Sequence, residues 1–581
     1  MYSFDFRYKY LPIVQSLDGM WINNVLIFTS TILCYYYISK YNTPETPSRE
    51  LEWGDINVIH TTDTHGWLAG HRKSSEPEPN GSGDWGDYAS FVQHMRHISD
   101  QKGVDLLVID SGDLHDGSGL SDAFEPGGIN GHDTNKIFTM LDIDVLTIGN
   151  HGLYNADVTL DIFKNFAPAW QERYLTSNTN ITDPSSNTSV PIGERFLKHY
   201  TRHGRKVTAF GLLFDFPNPN WRVQLQSIDD MIKEKWFQEA IDEKPDFFLL
   251  VAHMAINDLK WQLIIDTLKS KHPNTPVIGL GGHQHIRDCV YNFKDKRDVR
   301  MASGQFLETI GWLSANISDN GEMHISRKYL DANPIGYAWH LGINTSELLT
   351  TLGREIKMKI GQLWHKFALG SMVGKLDRDL YLNRVPAEHP DSIIRWLKDK
   401  VLPDFVKNED RKDIPKIILL NSGAIRYDLY SGEVNKNDLF TAFPFVNTLP
   451  YVGDVPYGVA KKMLKTLNEL PGHPFLTNNN QEEIRLTRTS IGYVTNDTCP
   501  GFGDDVIHEK IEYYEHSPCF GTDLEVLEDS DFVDVVFLSF LWPSIEKALN
   551  IISPEKQYEF EETYTNLTIR EVVSEYLKST L

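Results

Sequence analysis

The feature that most constrains this chain is a repeated form: an apolar, β-prone run that stops on metal-type ligands. Ile56-Asn-Val-Ile-His-Thr-Thr leads into Asp63-Thr-His65-Gly66. The form returns at Leu106-Leu-Val-Ile-Asp-Ser-Gly-Asp113, Val145-Leu-Thr-Ile-Gly-Asn150-His151, Phe247-Phe-Leu-Leu-Val-Ala-His253 and Val277-Ile-Gly-Leu-Gly-Gly-His283-Gln-His285. In open α/β sheets, ligands bind outside the carboxyl ends of the strands. Strand ends that face one crevice would gather these carboxylates and imidazoles into a metal site.

The text between the runs carries helical periodicity over about residues 88–99, 135–141, 229–241 and 258–269. Alternation of strand and helix predicts a mainly parallel sheet flanked by helices. After His285 the pattern changes. Residues 300–304, 308–318 and 322–327 read as strands without intervening helices, which predicts hairpins of a second sheet. The expectation is therefore a two-sheet α/β sandwich over 55–335. Leu348, Leu352, Ile356, Ile360 and Leu363 recur at near-helical spacing and predict one long interdomain helix within 336–370. A smaller α/β domain would fill 371–581, with apolar runs at Ile417-Ile-Leu-Leu and Phe532-Val-Asp-Val-Val-Phe-Leu.

Ahead of this body, Gly19 to Ser39 holds no charged residue. About 20 residues suffice to span a bilayer as a helix. Trp21 and Tyr35-Tyr36-Tyr37 lie near the two ends, where interfacial aromatics belong. The N-terminus thus reads as a tail (1–18), a transmembrane signal anchor (19–39) and a linker (40–54), with a cleaved signal peptide as the alternative. Asn-x-Ser/Thr sequons at Asn80, Asn180, Asn187, Asn316, Asn344, Asn496 and Asn566 fit a lumenal, vacuolar or extracellular glycoprotein. Of the four cysteines, Cys499 and Cys519 are spaced to close a short disulfide loop, and no CxxC spacing suggests a cysteine metal site. A net charge of −24 argues against a nucleic-acid partner but permits a small phosphate substrate, because divalent metals would set the local field.

The ligand types fit that chemistry. An aspartate at a strand end can bridge two cations through its two oxygens. Asn150 offers a neutral oxygen, which leaves the adjacent His151 to act on substrate. Glycines before His283 and His285 permit close backbone approach to a paired imidazole site.

Taken together, Asp63-x-His65-Gly66, Gly112-Asp113, Gly149-Asn150-His151, His253 and Gly282-His283-x-His285 resemble the calcineurin-like metallophosphoesterase superfamily. Asn421-Ser-Gly-Ala-Ile-Arg426 followed by Gly432, Asp438 and Pro444-Phe445-x-Asn447 resembles the C-terminal substrate domain of 5′-nucleotidases. Gly112-Asp-Leu-His-Asp-Gly117, with the anchor, is similar to a fungal vacuolar or secretory branch. The resemblance implies an α/β/β/α sandwich joined to a substrate domain, and two divalent ions, zinc or manganese before iron. It assigns one ion to Asp63, His65, Asp113 and His285, and the other to Asp113, Asn150, His253 and His283. Metal-bound water would attack a phosphate monoester in line, His151 would assist the leaving oxygen, and Asn421, Arg426 and Phe445 would hold the substrate, most plausibly a nucleoside 5′-monophosphate. Other phosphate esters or nucleotide-sugars are the alternative, as is a metal-containing binding protein with impaired turnover. Where the family commonly reads Gly-Asn-His-Glu-Phe-Asp, its last Asp orienting the histidine, this chain reads Gly149-Asn-His-Gly-Leu-Tyr154. Arg384 and Phe502-Gly-Asp504-Asp505 are the nearest text to two further substrate motifs.

Overall fold

The computed structural model describes residues 44, 46–71, 80–217, 219–470, 488–490, 493–495, 497–506, 512–524 and 527–581. The expected anchor, Gly19 to Ser39, and the sequon at Asn496 lie outside the described residues. Among the described residues no helix is long and apolar enough to cross a membrane.

Two large sheets and a small three-stranded one form the first lobe. The strand Ile56–Thr61 sits inside a six-stranded sheet, parallel to Asp105–Asp110 and antiparallel to Thr309–Ile317. Val145–Thr147 extends the parallel side. The second sheet carries Phe247–His253 between Lys206–Leu213 and Val277–Gly281, all parallel. Its core strands are continuously buried, as strands covered on both faces must be. Val58, Leu107, Val251, Leu280, Met301 and Leu313 pack between the sheets. Helices cover the outer faces, which gives the expected sandwich of two sheets between helical layers.

Local signals explain where the helices begin and end. Trp85–Lys102 starts on a capping box in which the Asp84 side chain accepts from the Gly86 and Asp87 amides. It ends on Gly103, whose φ of 68° is the left-handed conformation glycine adopts without strain. The expected single helix over 229–241 is two short ones, Ile228–Met231 and Lys235–Ala240. Glu234 between them is extended, so the apolar spacing survives a break in the backbone. The long interdomain helix is likewise shorter than its periodicity. It runs Thr351–Lys366 from a Thr350 cap, and Asn344 caps a separate turn before it. Ile356 and Ile360 bury this helix in the core that also holds Trp85, Tyr88 and Phe91. Lys357 Nζ lies 2.7 Å from both Asp84 and Asp87. The connecting helix is therefore packed onto the first lobe.

In the second lobe, Lys416–Asn421 and Phe532–Phe537 pair in parallel at the centre of a five-stranded sheet. Helices Tyr457–Glu469 and Trp542–Ile552 cover one face, and Ile569–Ser579 covers the other.

The disulfide differs from expectation. Cys499 pairs with Cys289, with an S–S distance of 2.02 Å and Cα atoms 5.5 Å apart, and not with Cys519. Cys519 is buried in the second lobe's core, on a strand beside Asn421. The segment around Cys499 instead crosses to the first lobe and lies against its strand Arg287–Tyr291. A buried ion pair, Arg327 Nε to Asp497 at 2.7 Å, and a hydrogen bond between His340 Nε2 and Asp505 at 3.0 Å hold it there. The loop closed spans 210 residues, so chain entropy assigns it several kcal/mol, about 2–5 in typical cases. Peptide mapping without reductant should recover a 289–499 cross-link and none through Cys519. Cys289→Ser should lower the denaturant midpoint measurably.

Candidate metal centre

The five ligand-bearing runs converge as their sequence form predicts. Asp63, His65 and His285 each offer a ligand atom within 4.8 Å of one another, and so do Asp113, His253 and His283. A third group, His65, Asp113 and His151, links these two. The turns that deliver these side chains are unusual. Asp63, His65, Asp113, His283 and His285 all have φ between 45° and 74°. Non-glycine residues in this region cost about 1 kcal/mol or more each, and such strain clusters at functional sites. The backbone comes as close as the glycines in the sequence imply. A Cβ on Gly282 would stand 2.7 Å from Asp63 Oδ2, and one on Gly149 would stand 1.9 Å from Asp113 Oδ1.

The distances describe a shared centre. His253 Nε2 lies 2.9 Å from Asp113 Oδ2 and 3.8 Å from Asp63 Oδ1. His285 Nε2 lies 3.3 Å from Asp63 Oδ1 and 3.0 Å from His65 Nε2. Outer partners fix the rings: the His65 Nδ1 bonds to the His115 carbonyl at 2.6 Å, and the His253 Nδ1 bonds to the Ser111 carbonyl at 2.8 Å. Each ring therefore turns Nε2 inward as a ligand atom. Two inward atoms, His253 Nε2 and Asn150 Oδ1, are buried with no aligned hydrogen bond. Orphaned polar atoms of this kind demand a partner. Two divalent cations would satisfy both, and the O/N donor set suits zinc, manganese or iron.

Charge supports the same reading. Burial alone would raise the Asp63 and Asp113 carboxyls, yet neighbouring imidazoles, His253 foremost, hold both below the usual carboxylate range. Burial pushes His283 down to about 3 and also lowers His65 and His285, with the Arg426 cation adding to the effect on the last two. Burial would lower His253 as well, but Asp113 and Asp63 outweigh it and raise the ring to about 9. The site is thus a buried pair of anions that collects positive charge, with the imidazoles of His65, His283 and His285 neutral and ready to ligate.

Sequence reasoning missed the partner of His151. With Tyr154 in the family's aspartate position, the sequence leaves open whether another group orients His151. Asp116 supplies it from a different loop: His151 Nδ1 lies 2.8 Å from Asp116 Oδ2. The signal was present in Gly112-Asp-Leu-His-Asp-Gly117, but nothing in one dimension pairs it with residue 151. Asp116 is itself held by neighbours, its amide donating to Asp122 Oδ1 at 3.2 Å and its Oδ1 accepting from Asn130 at 3.3 Å.

The second lobe contributes two of the three expected substrate residues. Arg426 is half-buried between the lobes, with Nη2 3.1 Å from His65 Nε2 and 3.4 Å from His285 Nε2. Phe445 stacks on the His151 ring at 5.9 Å and lies 5.7 Å from the Arg426 guanidinium. Asn421 ends a buried strand, and no described contact joins it to the cluster. Arg384 is held within its own lobe by Asp428 at 3.1 Å and the Tyr430 hydroxyl at 3.2 Å. Phe502, Asp504 and Asp505 lie on the cross-lobe segment near Arg49, Arg287 and His340. They are not at the metal centre.

The comparisons agree with this geometry. Residues 56–287 match the family described as calcineurin-like phosphoesterase. Residues 379–490 and 473–546 match the NAD nucleotidase C-terminal domain. An uncharacterised protein of Schizosaccharomyces pombe is 35% identical, over 96% of this chain and 93% of its own length. A protein of Arthroderma benhamiae described as secreted is 33% identical over 91% of each. The crystal structure of a 5′-nucleotidase from Candida albicans superposes with a TM-score of 0.85 at 32% identity, covering 92% of this chain and 100% of that one.

Proposed function

The chain belongs to the calcineurin-like phosphoesterases that carry a 5′-nucleotidase-type C-terminal domain, and from that premise we propose that it releases phosphate from nucleoside 5′-monophosphates. One observation carries the reading: two His/Asp clusters are linked by a third group that joins His65 to Asp113, and the second lobe inserts Arg426 within 3.1 Å of His65. Two divalent cations, when bound, lower the pKa of water and neutralise a phosphoryl group.

The chain's own residues do the rest. Arg426 offers paired donors to the phosphate oxygens, and its burial strengthens that contact. With its Nδ1 proton on Asp116, His151 turns Nε2 to within 4.0 Å of Asp113, toward the reacting centre. A proton on Nε2 would stabilise charge on the phosphoryl group or pass to the leaving ribose oxygen. Phe445 extends from the His151 ring as an apolar plane on which a base would stack.

The displaced position of Phe502 favours a second reading of specificity. The nearest candidate for another base-facing wall is elsewhere, so a single aromatic plane would accept nucleotide-sugars or dinucleotides as well. The full chain should be assayed for phosphate release from nucleoside monophosphates, a nucleotide-sugar, NAD and an aryl phosphate, with manganese, zinc or chelator. Metal-dependent release from a nucleoside monophosphate is expected. Arg426→Ala should raise KM more than it lowers kcat, as loss of mainly uniform binding does. Absence of release from every substrate would refute the proposal. The Cys289–Cys499 disulfide and the secreted relative support a secretory-pathway location, with residues 19–39 as the membrane anchor. Protease protection of the body in microsomes tests this.

A further inference from the structure

Tyr154 stands where the family places the carboxylate that orients the catalytic histidine, and Asp116 has taken over that task. What Tyr154 does instead is visible in its hydroxyl, which accepts a hydrogen bond from Asn150 Nδ2 at 3.1 Å. This contact occupies the Nδ2 end of the amide. Oδ1 is left as the buried, unpartnered atom, and only the oxygen can ligate a cation. The opposite orientation would aim an NH₂ group at the ion.

The Tyr154 ring is not isolated. It meets Phe216 at 5.5 Å edge to face, Phe216 meets Phe214 at 5.7 Å, and Phe214 stacks on His283 at 3.9 Å. The loop carrying both phenylalanines is pinned to the Tyr154 segment. The Asn220 backbone and side-chain amides donate to the Leu153 carbonyl at 2.9 and 2.8 Å. One aromatic row thus touches Asn150 at one end and His283 at the other. These two belong to the same expected ion, the one shared by Asp113 and His253. Asp63, His65 and His285 lie outside the row's contacts.

We propose that Tyr154, Phe216 and Phe214 form a bracket that positions Asn150 and His283, and so sets the affinity of one of the two metal sites independently of the other. The proposal rests on the dinuclear reading above. These are positioning residues. Outer partners of metal ligands typically contribute about 10–100-fold to affinity, so a selective loss of that size is expected.

The test is manganese binding by the full-length protein, followed by calorimetric titration and by electron paramagnetic resonance. Wild type should bind two ions and show the signal of a coupled pair. Tyr154→Phe keeps the ring packed against Phe216 and removes only the hydroxyl. It should weaken one ion about 10-fold or more, leave the other at wild-type affinity, and give an uncoupled signal at intermediate manganese. Phe214→Leu, which leaves Tyr154 and Asn150 intact, should weaken the same ion. Wild-type affinities for both ions in both variants would overturn the bracket, and so would equal weakening of both ions. A wild-type protein that binds fewer than two ions would overturn the dinuclear reading and the bracket with it.

Discussion

Asp113→Asn should remove both metal ions together and abolish phosphate release. Asp113 lies in two of the ligand groups, and its Oδ2 is 2.9 Å from His253 Nε2, 3.9 Å from His65 Nε2 and 4.0 Å from His151 Nε2. Its Oδ1 accepts from the His151 amide at 2.9 Å. Asparagine is the informative replacement. It tolerates the left-handed backbone that Asp113 adopts at φ 60°, where alanine would add strain. Its amide oxygen can still accept from the His151 backbone, so the loop is kept. The remaining NH₂ group then points at the centre, where a bridging anion is needed. Loss of the bridge removes the means of generating hydroxide at neutral pH, an effect worth many orders of magnitude. A fall in kcat/KM of about 10⁴-fold or more is expected, with metal content near zero by elemental analysis and an unchanged circular dichroism spectrum. Retention of two ions or of wild-type turnover would remove Asp113 from the bridging role.

What could be read in one dimension follows from the range of the interactions. Each strand that leads into the centre is mainly apolar and buried along its whole length, because both of its faces are covered, and each ends on its ligand within a few residues. Those are local facts, and Asp63, Asp113, His151, His253 and His285 come together as their strand ends imply. Helix lengths were less legible. Apolar spacing continues through Glu234 and through Asn344–Thr350, while the caps there stop the backbone. Pairings between distant segments were not legible at all. Spacing in the sequence offers Cys499 only its near neighbour Cys519 as a partner for a short loop. The fold instead carries Cys499 across to Cys289. The same segment takes Phe502 and Asp504 away from the substrate. The group that orients His151 was not legible for an equivalent reason: Asp116 comes from the turn after a neighbouring strand.

That partner yields the second large effect. Asp116→Asn should lower kcat about 10²–10⁴-fold while leaving metal binding and KM close to wild type. Asp116 is not a member of either ligand group, and its Oδ2 is 2.8 Å from His151 Nδ1. A carboxylate in this position fixes the ring's tautomer and stabilises the imidazolium as the proton on Nε2 is used, and its loss is costly in other histidine-dependent hydrolases. Asparagine keeps the left-handed backbone at φ 63° and can still meet Asn130. It carries no charge, however, and its NH₂ group can hold the ring in the wrong tautomer. Tyr154 cannot compensate, since its hydroxyl is committed to Asn150. Phe445 stacks on the same ring, so an untethered His151 would also loosen the plane offered to the base. The two variants therefore separate the two halves of the centre. Asp113→Asn should lose the ions and the reaction together, whereas Asp116→Asn should keep two ions and lose the proton step. If Asp116→Asn turned over at the wild-type rate with both ions bound, His151 would be a spectator, and Arg426 would be left as the chain's principal cation at the phosphate.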